Sequence, residues 1–156
     1  SPASPVSPDA APFEPGKAKV LRQGGDIAII CEGRCAADAL SAAGILSREG
    51  TEACVINVRS LKPTDEAKKK EALDGHKAVL TVEEGVARGG LYATVLMLAA
   101  EHPEARVGAC AMPEAPIRHG KRAKVLKKLG LDAEGIAHSA RKLLDSAKGG
   151  LHEEEA

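Results

Sequence analysis

Short apolar runs alternate along this chain with stretches of helical periodicity, and that alternation constrains the fold more than any other feature. Ile27-Ala28-Ile29-Ile30-Cys31 is apolar without a polar alternate, as in a strand covered on both faces. Gly33 ends it. From about 35 to 48, Ala36, Ala39, Leu40, Ala43 and Leu46 recur at helical spacing, and Gly50 follows at the C-cap position. The pattern then repeats. Ala53-Cys54-Val55-Ile56-Asn57 reads as a strand, 64–73 as a short charged helix, 77–82 as a strand and 90–101 as a helix closed by Pro103. Thr64 is a candidate N-cap, with Asp65 and Glu66 in the first turn, where the helix dipole favours negative charge. A strand over 106–111 and a helix over 133–146, capped by Asp132, complete the order, and 18–22 adds a short early strand. This order predicts an α/β fold with a mostly parallel sheet, helices on both faces and right-handed crossovers.

Aromatic residues are 1% of the chain, with Phe13 and Tyr92 alone, so the core must be built from Ala, Val, Leu and Ile on closely approaching elements. Platforms for stacking bases are missing, and 22 Lys plus Arg balance 22 Asp plus Glu. Both features argue against a nucleic-acid partner and against a polybasic membrane binder. Residues 1–15 are rich in Ser and Pro and read as a disordered linker, with neither the basic start nor the apolar run of a signal peptide or anchor. No later stretch is apolar for long enough to span a bilayer. A domain is expected over 16–148 and a flexible acidic tail over 149–156. Cys31, Cys54 and Cys110 lie in strand-like runs and read, with Cys35, as buried reduced thiols. The Cys31-x-x-x-Cys35 spacing lacks a second Cys or His pair that would complete a zinc site.

Three motifs carry a family resemblance. They are Asn57-Val58-Arg59-Ser60-Leu61-Lys62-Pro63-Thr64-Asp65, then Val82-Glu83-Glu84-Gly85 with Gly89-Gly90, then Ile117-Arg118-His119-Gly120 leading to Leu129-Gly130-Leu131-Asp132-Ala133-Glu134-Gly135-Ile136. Together they resemble the C-terminal domain of the transketolase superfamily over about 15–144. The last motif is similar to the 1-deoxy-D-xylulose-5-phosphate synthase branch. The resemblance implies a three-layer α/β/α domain around a five-stranded mixed sheet with one antiparallel strand. It also implies thiamine diphosphate and Mg in a full-length enzyme that condenses pyruvate with glyceraldehyde 3-phosphate. The family holds that cofactor with a Gly-Asp-Gly motif, a downstream Asn and an acidic residue from other domains. Gly24-Gly25-Asp26 has those residue types in another order and reads as a turn, so the expectation is no cofactor and no catalytic residue in this chain. The implied partners are catalytic domains of the same polypeptide and a second subunit. The implied place is the cytoplasm of a bacterium or the plastid of a eukaryote.

Glu83 and Glu84 close a buried-looking strand, a position where open α/β sheets meet ligands or partners. Neighbours in a strand point to opposite faces, so the pair does not easily share one substrate as acid and base. One of them is expected to meet a helix terminus or a neighbouring domain. Gly89 and Gly90 could cradle an anion at a helix N-terminus, but no Lys-Ser/Thr pair accompanies them, and close backbone approach is the better account. Arg59 reads as a salt-bridge or interdomain residue, and His119 as ordering its loop or facing a partner. These six, Arg59, Glu83, Glu84, Gly89, Gly90 and His119, are the interface candidates. The other histidines stand at exposed-looking places. The cluster Arg118, Lys121, Arg122, Lys124, Lys127 and Lys128 reads as a solvated helix face or a surface for an acidic partner. Two alternatives stay open: a stand-alone binding or regulatory module using the 83–90 edge, and the C-terminal domain of a transketolase or of a 2-oxo acid dehydrogenase β subunit.

Overall fold

The computed structural model of the chain describes residues 17–58, 66–84, 90–112, 124, 127 and 132–155. Within them run β1 (Lys19–Arg22), β2 (Ile27–Glu32), α1 (Ala36–Arg48), β3 (Ala53–Val58), α2 (Glu66–Gly75), β4 (Ala78–Glu84), α3 (Leu91–Ala99), β5 (Arg106–Met112) and α4 (Ala133–Glu155). A single 3-10 turn, Gly33–Cys35, leads into α1. The strands form one five-stranded sheet in the order β1-β3-β2-β4-β5, in which β1 is antiparallel to β3 and the other pairs are parallel.

The unbroken apolar runs become the central strands because both faces of the sheet are covered. Along β2, Ile27, Ile29 and Cys31 pack with Ala36, Ala39, Ala43 and Leu46 of α1 and Ile136, Ala137 and Ala140 of α4. The alternate residues Ala28 and Ile30 pack with Ala72 and Leu73 of α2 and Leu91 and Val95 of α3. All five β2 residues Ile27 to Cys31 are fully buried, and each Ile contributes about 1.5–3 kcal/mol by leaving water. The alanine face of α1 replaces bulky aromatics with close approach of helix to sheet. Arg141 of α4 grips Glu49 at the end of α1 through two contacts of 2.7 Å, joining the helices of that layer.

Helix ends follow local chemistry. Gly50 adopts φ +89°, its amide bonds Ser47 O at 3.0 Å and the Thr51 amide bonds Leu46 O at 2.9 Å, a Schellman closure of α1. Asp132 accepts the Gly135 amide at 2.9 Å and caps α4. α4 then runs to Glu155, beyond the expected end at Ser146 and through the expected tail. Gly149 and Gly150 each disfavour helix by only about 1 kcal/mol, and strong helix formers flank them on both sides.

Candidate functional site

The C-terminal rim of the sheet is where β2, β3 and β4 end, and the first two sequence motifs begin there, at Asn57 of β3 and Val82 of β4. Val79, Thr81 and Glu83 share the β4 face toward α2 and α3, and Val79 packs in the core of that layer. Thr81 is buried and donates to Gly108 O at 3.3 Å. Glu83 is 2% exposed, and its carboxylate accepts the amide of Leu91 at 2.7 Å and that of Tyr92 at 3.1 Å. Those are the first two residues of α3, whose own N-cap, Gly90, has no side chain to offer. A carboxylate seven residues back on the strand therefore supplies the cap, and the positive end of the helix dipole stabilises its charge.

Gly90 fits this arrangement by close approach. A Cβ there would collide with Oε2 of Glu83 and stand 2.9 Å from its carboxyl carbon. Glu83 and Gly90 thus form one device, a carboxylate laid against a bare backbone. Glu32 ends β2 on the same face and lies next to β4 in the sheet. Burial, then the charge of Glu83, holds its carboxyl above the usual range.

Lys69 is an unexpected member of this layer. In this short charged helix Lys69 is only 1% exposed, and its ammonium donates to Thr94 Oγ1 at 3.3 Å. Thr94 in turn donates to Leu91 O at 2.9 Å, so the lysine ties α2 to the first turn of α3. The signal was present as spacing: Lys69 stands at i relative to buried Ala72 and Leu73 at i+3 and i+4.

Cysteine nucleophiles are disfavoured here. Cys31, Cys35, Cys54 and Cys110 are all buried and reduced. Burial, with the nearby Cys35 and Glu32, pushes the Cys31 thiol up to about 12, far from the thiolate that attack requires. Burial also raises Cys54 and Cys110.

Of the six interface candidates, the structure brings Glu83 and Gly90 together and places Glu84 by backbone as the last residue of β4. Arg59, Gly89 and His119 lie outside the described residues, as does most of the basic helix; Lys124 and Lys127 are helical and exposed. Two histidines correct the expectation of exposure. Both ring nitrogens of His76 face carbonyls, Ala72 O at 2.9 Å and Gly24 O at 3.0 Å, and His102 meets Asp74 at 2.8 Å. They bind the ends of α2 and α3 to their surroundings.

The Gly24-Gly25-Asp26 turn does not fit thiamine diphosphate. Gly24 has no room to open, since a Cβ would collide with the Ala53 carbonyl carbon and stand 2.6 Å from its oxygen. Asp26 Oδ2 accepts the Glu52 amide at 2.7 Å, which closes the turn. No group of three metal-ligating side chains occurs among the described residues, and no helix there is long and apolar enough to cross a membrane.

Comparison with known proteins places this geometry. A family model described as transketolase, C-terminal domain, matches residues 16–136. The 1-deoxy-D-xylulose-5-phosphate synthase of Pseudomonas aeruginosa is 35% identical over 145 residues, covering 92% of this chain and 22% of that protein. The synthase of Geobacillus thermodenitrificans is 36% identical over 131 residues, 83% of this chain and 21% of its own length. The chain thus spans about a fifth of these relatives. Among solved structures, a split-gene transketolase described as an inactive β4 tetramer matches with TM-score 0.77 and 32% identity, over 90% of this chain and 46% of that one. A transketolase from Pichia stipitis, 20% identical with TM-score 0.65 over 86% of this chain and 19% of that one, shows the fold alone.

Proposed function

The chain belongs to the transketolase C-terminal domain family, and from that premise we propose that it is the non-catalytic C-terminal unit of a 1-deoxy-D-xylulose-5-phosphate synthase. In this reading the whole enzyme uses thiamine diphosphate and Mg to join pyruvate to glyceraldehyde 3-phosphate for isoprenoid precursors. This unit packs on the catalytic domains through the C-terminal rim of the sheet and supports the dimer. Glu84, Gly90 and, beyond the described residues, Arg59, Gly89 and His119 are the proposed contacts of that rim.

The observation that carries the reading is the occupation of Glu83. The buried carboxylate of the motif is held by two α3 amides, so it acts as a structural cap and not as an acid or base. A strand end organised this way presents a fixed helix to a neighbour. Identity to synthases over 92% of the chain supports the branch.

Two measurements test the proposal. Calorimetric titration of the chain with thiamine diphosphate and Mg should give no heat of binding, and a micromolar Kd would overturn the non-catalytic role. Residues 16–148 grafted in place of the matching segment of the Pseudomonas aeruginosa synthase should yield an active dimer. A folded but monomeric chimera would remove the supporting role.

A second reading has one specific support. One solved relative is described as a split-gene transketolase. On that reading this chain would act in trans as a subunit.

A further inference from the structure

The opposite rim of the sheet, where β2, β3 and β4 begin, carries a second feature that the family motifs do not touch. The β1–β2, α1–β3 and α2–β4 turns line up beside α4 and enclose a cleft of about 430 Å³. Each turn brings a glycine to the wall, Gly25, Gly50 and Gly75. Gly50 is required by its positive φ. At Gly25 and Gly75 φ is not positive, and a Cβ would meet nothing within 4 Å, so neither backbone nor packing demands glycine there. Their missing side chains keep the cleft open.

Its walls are fixed before any ligand arrives. Asp26 and Glu52 exchange two bonds across the turns, Asp26 N to Glu52 O at 2.9 Å and Glu52 N to Asp26 Oδ2 at 2.7 Å. His76 ties Gly24 O to the end of α2, and Gly24 lies hard against the Ala53 backbone. A preformed site loses little freedom on binding.

Charge selects the ligand. Lys77 and Lys148 are exposed at the lip, and neither has an ion-pair partner among the described residues. Asp26 is the one opposing charge of the lining, and one of its oxygens is already engaged. The C-terminal ends of α1 and α2 point to this rim, where their dipoles disfavour anions. Part of this field is offset, because Leu46 O and Ser47 O of α1 are covered by the Thr51 and Gly50 amides and Ala72 O of α2 by His76. Leu144 and Ala147 supply an apolar wall. The volume lies in the range of small-molecule sites and exceeds what an inorganic ion needs. We propose that this cleft binds a small organic dianion, with the Lys77 and Lys148 ammonium groups holding its two charges or one doubly charged phosphate ester.

The test is a titration of the ¹⁵N-labelled chain with glycerol 3-phosphate and, separately, with succinate, at constant ionic strength. Saturable amide shifts at Gly25, Gly50, Gly75, Lys77 and Lys148 are expected. A stronger response to the first probe identifies a phosphate ester, and to the second a dicarboxylate. Lys77→Glu with Lys148→Glu should weaken binding at least about tenfold. Lys77→Ala with Lys148→Ala should weaken it in the same direction without reversing charge. Gly75→Leu, which fills the cleft from a helical position, should abolish the shifts while leaving the unfolding midpoint at or above that of the parent. Shifts that stay linear with concentration for both probes, or that persist unchanged in these variants, overturn the proposal.

Discussion

Gly24 and Gly90 stand at opposite rims of the same sheet, and both are glycine because something lies too close for a Cβ, but the neighbour differs. At Gly24 it is the Ala53 main chain, and at Gly90 it is the end of the Glu83 side chain. Backbone in a strand cannot yield without disturbing the β2–β3 ladder, whereas a carboxylate can rotate away if its hydrogen bonds are given up. The N-terminal rim is thus held by main-chain geometry and the C-terminal rim by one ionised group. The second kind of rim is the one that a partner or a single substitution can retune.

The largest effect should come from that ionised group. Glu83→Ala leaves two amides of α3 without an acceptor, the buried one of Leu91 at about 1–3 kcal/mol and the part-buried one of Tyr92 at less, and removes a favourable helix-end charge. We expect a loss of about 3–5 kcal/mol in urea unfolding and faster hydrogen exchange at Leu91 and Tyr92. Glu83→Gln, which keeps shape and one acceptor oxygen, should lose about half of that. A loss under about 1 kcal/mol for the alanine variant would mean that the start of α3 is held by something other than Glu83.

Next in size is Gly24→Ala, at about 3 kcal/mol from overpacking against backbone, followed by Gly90→Ala at about 1–3 kcal/mol. Their rescue behaviour separates them. In the Glu83→Ala background, Gly90→Ala should become nearly neutral, because the colliding carboxylate is gone, while Gly24→Ala should remain as harmful as before. Chemical denaturation of the two double-mutant cycles measures this directly. Equal coupling of both glycines to Glu83 would erase the contrast between the rims.

The strands and the crossover order were legible because apolar runs of this length, punctuated by glycine, have few other uses. The five strands lie within two residues of their expected ends, and Gly50 and Asp132 close and open their helices as their residue types suggest. The rim was only half legible. The alternation of Glu83 and Glu84 separates their faces, but which helix end Glu83 meets depends on where α3 starts in space, which no local pattern states. Lys69 is ambiguous in the sequence, because its type argues for solvent while its spacing with Ala72 and Leu73 argues for the interior, and in the structure spacing prevails. His76 carried no signal at all, since its partners Gly24 O and Ala72 O are main-chain atoms brought near by the fold.

The smallest effect tests the C-terminal rim from the side of Glu32. Its folded pKa is raised from the reference value of 4.5, first by burial and then by the charge of Glu83. A raised carboxyl means that the folded chain binds this proton more tightly than the unfolded chain does. Stability from this group is therefore greatest below the unfolded pKa and declines as pH rises through the folded one. Glu32→Gln should flatten that decline and raise stability at neutral pH by on the order of 0.5 kcal/mol, since the site is half-buried and water screens the repulsion. Urea midpoints from about pH 4 to 7 provide the measurement. Glu83→Ala removes the second cause but leaves the burial, so it should flatten the same pH dependence only in part. If it flattens it as fully as Glu32→Gln, the charge of Glu83 and not desolvation governs the rim.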